Sequence, residues 1–505
     1  MKDKCVSRDK AIWWGFLLCV FAFTAVYFIS SRPLIVSNGD DWVYTAFTRS
    51  ALPMWKGWNP GKVLPEVFLP LCAQLGVTFI KPFCGDYIWS ISLAAGIVLS
   101  LIITLYTGMF AKALQHILKL GTEMAVLVSA AFFLFHFKSW MSPWIRGMHL
   151  FYSLDLNNTF NYTVPALLNS ILMLYLMQRQ HRGLTLDRQH MLAEGALLLV
   201  LYLAVFSNLF LNCILAVYAG VCLLESLCAA IAKKERIGRV ISDHLLMVYI
   251  LVLWVVCAVF ELSGGRAAAV SDASLIDSVK AAIWAMLDTV ERMDDVVFFG
   301  CIVLVAAGLI VLAWSRGRHE QDAAYGKLML RHAANVMLVT TYILLLGGVV
   351  GSGYMYRVDI LFAIMVHVLL MTFFSVAYVL RRLPKMTLAV PAAVFVLSIE
   401  VFMGMGNLEL TNTGNTTKHA LDVNRNLVEQ VVSADQQGLK EVTLIVPYAP
   451  TPDNFPYPTY MGENILRTLR QHRMVENIDK IYIEPDKNYY SIFGIVEGKN
   501  NYSGE

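Results

Sequence analysis

Charge is scarce in this sequence. Asp, Glu, Lys and Arg supply 15% of the 505 residues, where average soluble domains carry roughly a quarter. With 57% hydrophobic residues, that shortage excludes an ordinary soluble globular chain. Other absences narrow the class further. No CxxC or Cys/His metal spacing occurs, and most cysteines fall inside apolar runs, where they act as small hydrophobes. Only Cys72 and Cys84 can face an oxidising compartment together, which leaves a disulfide open there. No Walker-type loop or GxGxxG motif interrupts the basic loops, which argues against a cytoplasmic nucleotide-binding domain. No internal repeat is visible, and this counts against inverted-repeat transporters. No small-x-small cleavage motif follows the first apolar run, residues 11–30; that run exceeds the roughly 7 to 15 residues of a signal h-region, so it reads as a retained anchor.

What is present is a series of apolar runs long enough to cross a hydrocarbon core. Eleven fit as spans: 11–30, 88–110, 122–137, 162–178, 190–206, 209–231, 243–262, 295–315, 332–352, 359–379 and 386–406. Basic residues orient them, because cytoplasmic loops are enriched in Lys and Arg. An N-terminus inside the cell places 20 of the 40 Lys and Arg in the short cytoplasmic segments, among them "KKERIGR", "RGRHEQ" and "RRLPK". The longer external loops hold 11 and the tail 9. The segment 64–84 is apolar but carries two prolines and Glu66. Counted as a span, it would turn every later basic cluster outward, so it reads as a juxtamembrane or re-entrant segment on the outer face.

The expected fold is therefore a polytopic α-helical membrane protein of about eleven transmembrane helices over 1–406, with a cytoplasmic N-terminus. An external loop, 31–87, carries the candidate catalytic residues. Residues 407–505 form a small extracytoplasmic α/β unit. There "ALDVNRNLVEQVVSADQQG" predicts a helix ended by glycine, "EVTLIVPY" a strand, "ENILRTLRQHR" a second helix and "KIYIEP" a second strand.

Chemistry concentrates in the external loops. "SNGDDWVY" places two carboxylates side by side just after the anchor. Asn38 or Asp40 capping a helix that starts at "DWVYTAF" explains one acid. Neighbours on a helix point about 100° apart, so Asp40 and Asp41 can divide the roles: one caps or pairs, the other faces a cavity as a general base. The same loop offers Trp58, suited either to an interfacial belt or to a sugar face, and Lys62, a point charge for phosphate. The second external loop adds Arg146 and His149, three residues apart, and Tyr162 in "NNTFNY", a composition that suits carbohydrate. In "GSGYMYRVDI", Arg357 sits with Tyr354 and Tyr356 between two spans. It can pair with Asp359 and anchor a helix end, or bind a lipid-linked phosphate through its planar fork. Arg266 in "SGGRAAAV" is a further cation. His367 and Glu400 lie within spans, where polar groups mark function by default.

The layout resembles the GT-C class of integral membrane glycosyltransferases: one span, an external loop with an acidic pair ("NGDDWVY"), many further spans and an extracytoplasmic α/β tail. More narrowly, it is similar to bacterial glucosyltransferase-like families of surface-polysaccharide and O-antigen modification. Those carry a "GR"-type motif further along the first loop; here the place reads "NPGK", so Lys62 keeps the charge and loses the fork. The resemblance implies a polyprenyl-phosphate-linked sugar donor and a glycan or lipid-linked acceptor, joined with inversion on the outer face of a bacterial inner membrane. Asp40 or Asp41 would act as base and Arg357 would hold the donor phosphate. A divalent metal on Asp40 and Asp41 is permitted, not required; membrane lipids are expected partners and nucleic acid is not. Three other readings stay open: an O-antigen ligase or polymerase, a transporter or flippase of lipid-linked sugars, and a structural or assembly protein whose acids only cap helices. The flippase needs polar residues at the bundle midplane, and these spans look mostly bare.

Overall fold

The computed structural model describes the chain apart from residues 1, 37–38, 139, 141–148, 152–154, 181–183, 266–273, 316–319, 384–388, 405–416, 449–460 and 497–505. Its first part is a helical bundle. In chain order come α1 (Lys2–Val26), α2 (Gly39–Tyr44), α3 (Val63–Leu75), α4 (Tyr87–Leu118), α5 (Thr122–Phe137), α6 (Val164–Arg179), α7 (Met191–Val205) and α8 (Leu209–Ala232). Then follow α9 (Leu245–Leu262), α10 (Leu275–Glu291), α11 (Asp295–Ser315), α12 (Glu320–Val350), α13 (Val358–Arg382) and α14 (Ala389–Gly404). Every one of the eleven predicted runs coincides with a helix. Among the described residues nine helices are long and apolar enough to cross a membrane, with three shorter apolar ones beside them. The chain is a multi-pass helical protein.

One of the nine is the segment beginning with α3, which continues without a break to Cys84. Its two ends meet the same end of the bundle. At its start, the Leu64 amide donates to Phe206 O (2.9 Å) and the Gly61 amide to Glu261 Oε1 (2.7 Å). At its finish, Lys81 Nζ meets Met474 Sδ at 2.9 Å, and Asp86 pairs with Arg425 at 2.5 Å. Its middle presses on α4 at Gly76, where a β-carbon would lie 2.5 Å from Ser90 O. Only glycine permits that approach. Cys72, in α3, is buried, Cys84 is exposed, and both are free thiols.

Two details depart from the sequence reading. Residues 263–294, read as a loop, contain α10. Ser274 Oγ caps it by accepting from the Asp277 amide (3.4 Å). Its buried face is Ala282, Ala285, Met286 and Thr289, an i, i+3, i+4, i+7 stripe laid on α12. That stripe is too thin to register as an apolar run. The second detail is that the two polar residues noted within predicted spans have partners: Glu400 accepts from Lys138 at 3.0 Å, and His367 meets His332.

The C-terminal unit follows the predicted order: α15 (Thr417–Gln436), β1 (Glu441–Pro447), α16 (Met461–Gln471) and β2 (Lys480–Asp486). The strands pair in parallel, with Leu444 opposite Ile483. Parallel neighbours need a crossover, and α16 supplies it, burying Ile465 and Leu469. The unit docks on α2 and on the start of α4. Thr468 Oγ1 donates to Trp42 O (3.0 Å), Arg467 Nη2 to Val43 O (2.8 Å) and Asn424 Nδ2 to Val36 O (2.7 Å). Tyr87 OH lies 2.7 Å from His472 Nδ1.

Burial pushes the His472 imidazole down to about 4. The unfolded imidazole titrates near 6.5, so the unfolded chain takes up the proton first. Stability from this joint is full above pH 6.5 and is lost as pH falls towards 4. His472→Gln should flatten that part of the curve, read as the difference in Tm between variant and wild type from pH 7 to pH 4.

Candidate functional site

The acidic pair opens α2. Asp41 is wholly buried, while Asp40 is exposed. Asp41 Oδ1 accepts the backbone N–H of Asn157 at 2.6 Å, and its carbonyl accepts from Thr45 Oγ1. Asp41 ties α2 to the segment entering α6, and Asp40, its neighbour, is exposed.

That entering segment brings the rest of the site. Asp155 caps a short turn, Leu156–Asn158, by accepting from the Asn158 amide (2.6 Å) and from Asn158 Nδ2 (2.7 Å). The carbonyl oxygen of the same Asn158 side chain accepts from Arg357 Nη2 at 3.0 Å. Arg357 in turn forks onto Asp359, with Nε to Oδ1 at 3.1 Å and Nη2 to Oδ2 at 2.7 Å. One carboxamide thus links an acid of the second loop to the cation between α12 and α13. The chain next forms a π-helical turn, Thr159–Thr163, a form that recurs at functional sites. It presents Tyr162 beneath two cations: Arg357 Cζ is 4.1 Å from the ring centre and Lys62 Nζ 5.7 Å. Lys62 and Tyr162 are both buried.

Electrostatics join these pieces. Burial pushes the Asp155 carboxyl up to about 6; the Asn158 hydrogen bonds and Arg357 pull it back, and the charge of Asp40 adds to the rise. Asp155 therefore feels both Asp40 and Arg357. For Arg357 burial opposes the charge, but Asp359, Tyr162 and Asp155 outweigh it and hold the guanidinium protonated.

The other predicted residues are placed as follows. Tyr354 stacks on Phe210 at 5.3 Å and lies 5.9 Å from Arg357. Tyr356 is exposed beneath Arg292, the C-cap residue of α10, at 5.7 Å, on a different cation from its neighbour. Trp58 is 57% exposed and covers Gly265, where a β-carbon would meet its ring at 2.8 Å. Its loop is anchored by Arg49, which pairs with Glu66 at 2.6 Å. His149 is a core residue: Nδ1 accepts from the Phe151 amide (3.1 Å), which leaves Nε2–H for Tyr27 OH at 2.7 Å. Burial, Arg32 and His136 all push its imidazole well below the usual range. Arg146 and Arg266 lie outside the described residues.

The pairing of Arg357 with Asp359 was singled out in the sequence; Asp155 and Asn158 were not. Their signal is weak: an Asp three residues before an Asn, at the mouth of an apolar run, is an ordinary cap. The donor set does not suit the divalent metal that the resemblance permits. Asp41 and Asp155 already accept hydrogen bonds from Asn157 and Asn158, and among the described residues no three His, Cys, Asp or Glu converge. No family model, curated protein or solved structure matches the chain.

Two outcomes follow from this geometry. Asp41→Ala strands the buried Asn157 N–H and should cost about 1–3 kcal/mol; its Tm should fall further than that of Asp40→Ala. Asp155, raised on folding, keeps its proton in the native chain at pH values where the unfolded carboxyl has lost it. Its contribution is full below about pH 4 and is lost as pH rises through 6. Asp155→Asn should remove that slope from the Tm profile.

Proposed function

We propose that this chain is a membrane glycosyltransferase of the GT-C kind, which moves a sugar from a polyprenyl-phosphate donor to a glycan or lipid-linked acceptor. The observation that carries the reading is a pair of hydrogen bonds to adjacent residues of one turn. Asn157 donates to Asp41 at 2.6 Å and Asn158 accepts from Arg357 at 3.0 Å, which ties the acidic pair of α2 and a held guanidinium to the same turn at one end of the bundle. The C-terminal unit docks at that same end.

The membrane arrangement belongs to the proposal. The eleven runs cross the inner membrane of a bacterium from a cytoplasmic N-terminus, and the α3 segment enters and leaves on the outer face. The site and the C-terminal unit then lie outside, where sugar carried on a polyprenyl lipid is used.

In the transfer step the acceptor hydroxyl gives its proton to Asp40 and attacks the anomeric carbon, so configuration inverts. The bond from that carbon to the donor phosphate oxygen breaks, and its electron pair stays on the lipid phosphate. Arg357 and Lys62, which converge on Tyr162, stabilise the charge left there. Asp359 keeps the guanidinium oriented. The donor's apolar chain suits a cavity of about 570 Å³, lined by residues including Trp140, Met293, Val297, Val336, Met365 and Val368. Met365 is eight residues along α13 from Arg357, about 12 Å of helix. That is a short reach for an isoprenoid anchored by its phosphate.

Transfer from a labelled polyprenyl-phosphate sugar, in vesicles, tests the assignment. Asp40→Asn should lower the rate by about 10² to 10⁴, the usual share of a general base, while the protein stays folded. Arg357→Lys keeps a charge but loses the fork, and should raise KM for the lipid donor. Wild-type rates in Asp40→Asn would remove Asp40 as base. A wild-type protein that moves lipid-linked sugar across the vesicle without transferring it would replace the enzyme by a flippase.

A further inference from the structure

Away from this site, α12 and α13 bring three polar side chains together inside the bundle. His332 and Asn335 lie three residues apart on α12 and so share a face. His367 stands near the middle of the 25-residue α13. All three are fully buried. The two Nδ1 atoms are 3.1 Å apart. Neutral imidazoles at that distance share one proton, with one Nδ1–H donating to the other Nδ1 lone pair.

The tautomers follow from that bond. The donor ring is left with a lone pair on Nε2, and the acceptor ring carries N–H on Nε2. Among the described residues neither Nε2 meets a protein partner, and neither does Nδ2 or Oδ1 of Asn335. Other polar groups in the bundle differ. His136 uses both nitrogens, on Tyr106 OH at 3.2 Å and Phe132 O at 2.7 Å. Thr372 bonds back to Val368 O. Four orphaned groups in a dry interior would be a heavy charge against a marginally stable fold.

The chemistry of the four groups selects their complement. They mix donors with acceptors, and no carboxylate is among them. Arg331, adjacent in sequence, is already engaged by Glu225 (2.6 Å) and Gln180 (2.9 Å). A metal ion needs a lone pair from each ring, and the shared proton leaves one Nε2 lone pair between them. An anion would meet that lone pair and the amide oxygen. What fits is a small neutral molecule that both donates and accepts. Tyr218 closes one side, its ring nearly parallel to His332 at 6.4 Å.

We infer that His332, Asn335 and His367 form an internal water-binding site at the middle of the bundle, with water on each outer ring nitrogen. The pair can then exchange tautomers without gaining charge. The acceptor ring releases its Nε2 proton to one water, the shared proton crosses between the Nδ1 atoms, and the donor ring takes a proton on Nε2 from the other water. One proton enters, one leaves, and the pair stays neutral. The inference does not depend on the proposed glycosyl transfer.

Deuterium exchange at the imidazole C2 position, read by mass spectrometry on the unmodified protein in lipid nanodiscs, tests it. Exposed His190 and buried, fully partnered His136 set the two limits. His332 and His367 should exchange roughly tenfold or more faster than His136. Rates as slow as that of His136 would overturn the site. Asn335→Leu should slow exchange at both histidines while His190 and His136 keep their rates, which also shows that the variant is folded. Unchanged exchange in Asn335→Leu would remove Asn335 from the site.

Discussion

The hydrogen bond from the Asn157 amide to the buried Asp41 carboxylate is the joint on which the candidate site depends. It fastens α2, from the first loop, to the turn that enters α6. Asp155, Asn158 and Tyr162 follow on that turn, and Arg357 reaches it from the other side. On its far side α2 carries the C-terminal unit through the carbonyls of Trp42 and Val43. A charged acceptor at this point is well chosen, because hydrogen bonds to carboxylates are shorter and stronger than neutral ones. Its cost is the burial of a carboxylate, and this explains why the pair is split, with Asp40 left facing outward.

A chain of hydrogen bonds leads from Asp155 through the Asn158 side-chain amide and Arg357 to Asp359, with Arg357 over the Tyr162 ring. A guanidinium held by one carboxylate and one amide oxygen keeps a fixed orientation. In the proposed transfer such preorganisation would matter more than the number of charges, since no reorganisation is needed when charge develops. Lys62, also buried, approaches the same ring at 5.7 Å.

Much of this fold was legible in the sequence because its signals are local. All eleven apolar runs fall on helices, and the helix–strand–helix–strand order of the tail was readable from periodicity and from the glycine after α15. Helix α10 escaped because its buried face is only Ala282, Ala285, Met286 and Thr289. The acidic pair and Arg357 were visible as unusual charges near apolar runs. Asp155 and Asn158 were not, because their importance lies in contacts across about 200 residues of chain. The same holds for His332 and Asn335, whose partner and whose lack of partners are tertiary facts. Spans that look bare in one dimension can still meet polar face to polar face.

The docking of the C-terminal unit carries a consequence for how the protein is made. Trp42 and Thr468, joined in the finished chain, are 426 residues apart. At roughly 5–20 residues per second, the ribosome needs about 20 to 85 s to pass from one to the other. Through that interval α2 has emerged without the unit that later docks on its Trp42 and Val43 carbonyls. A nascent chain stalled before α16 would lack that joint, so its assembly ends with one of the latest events of translation.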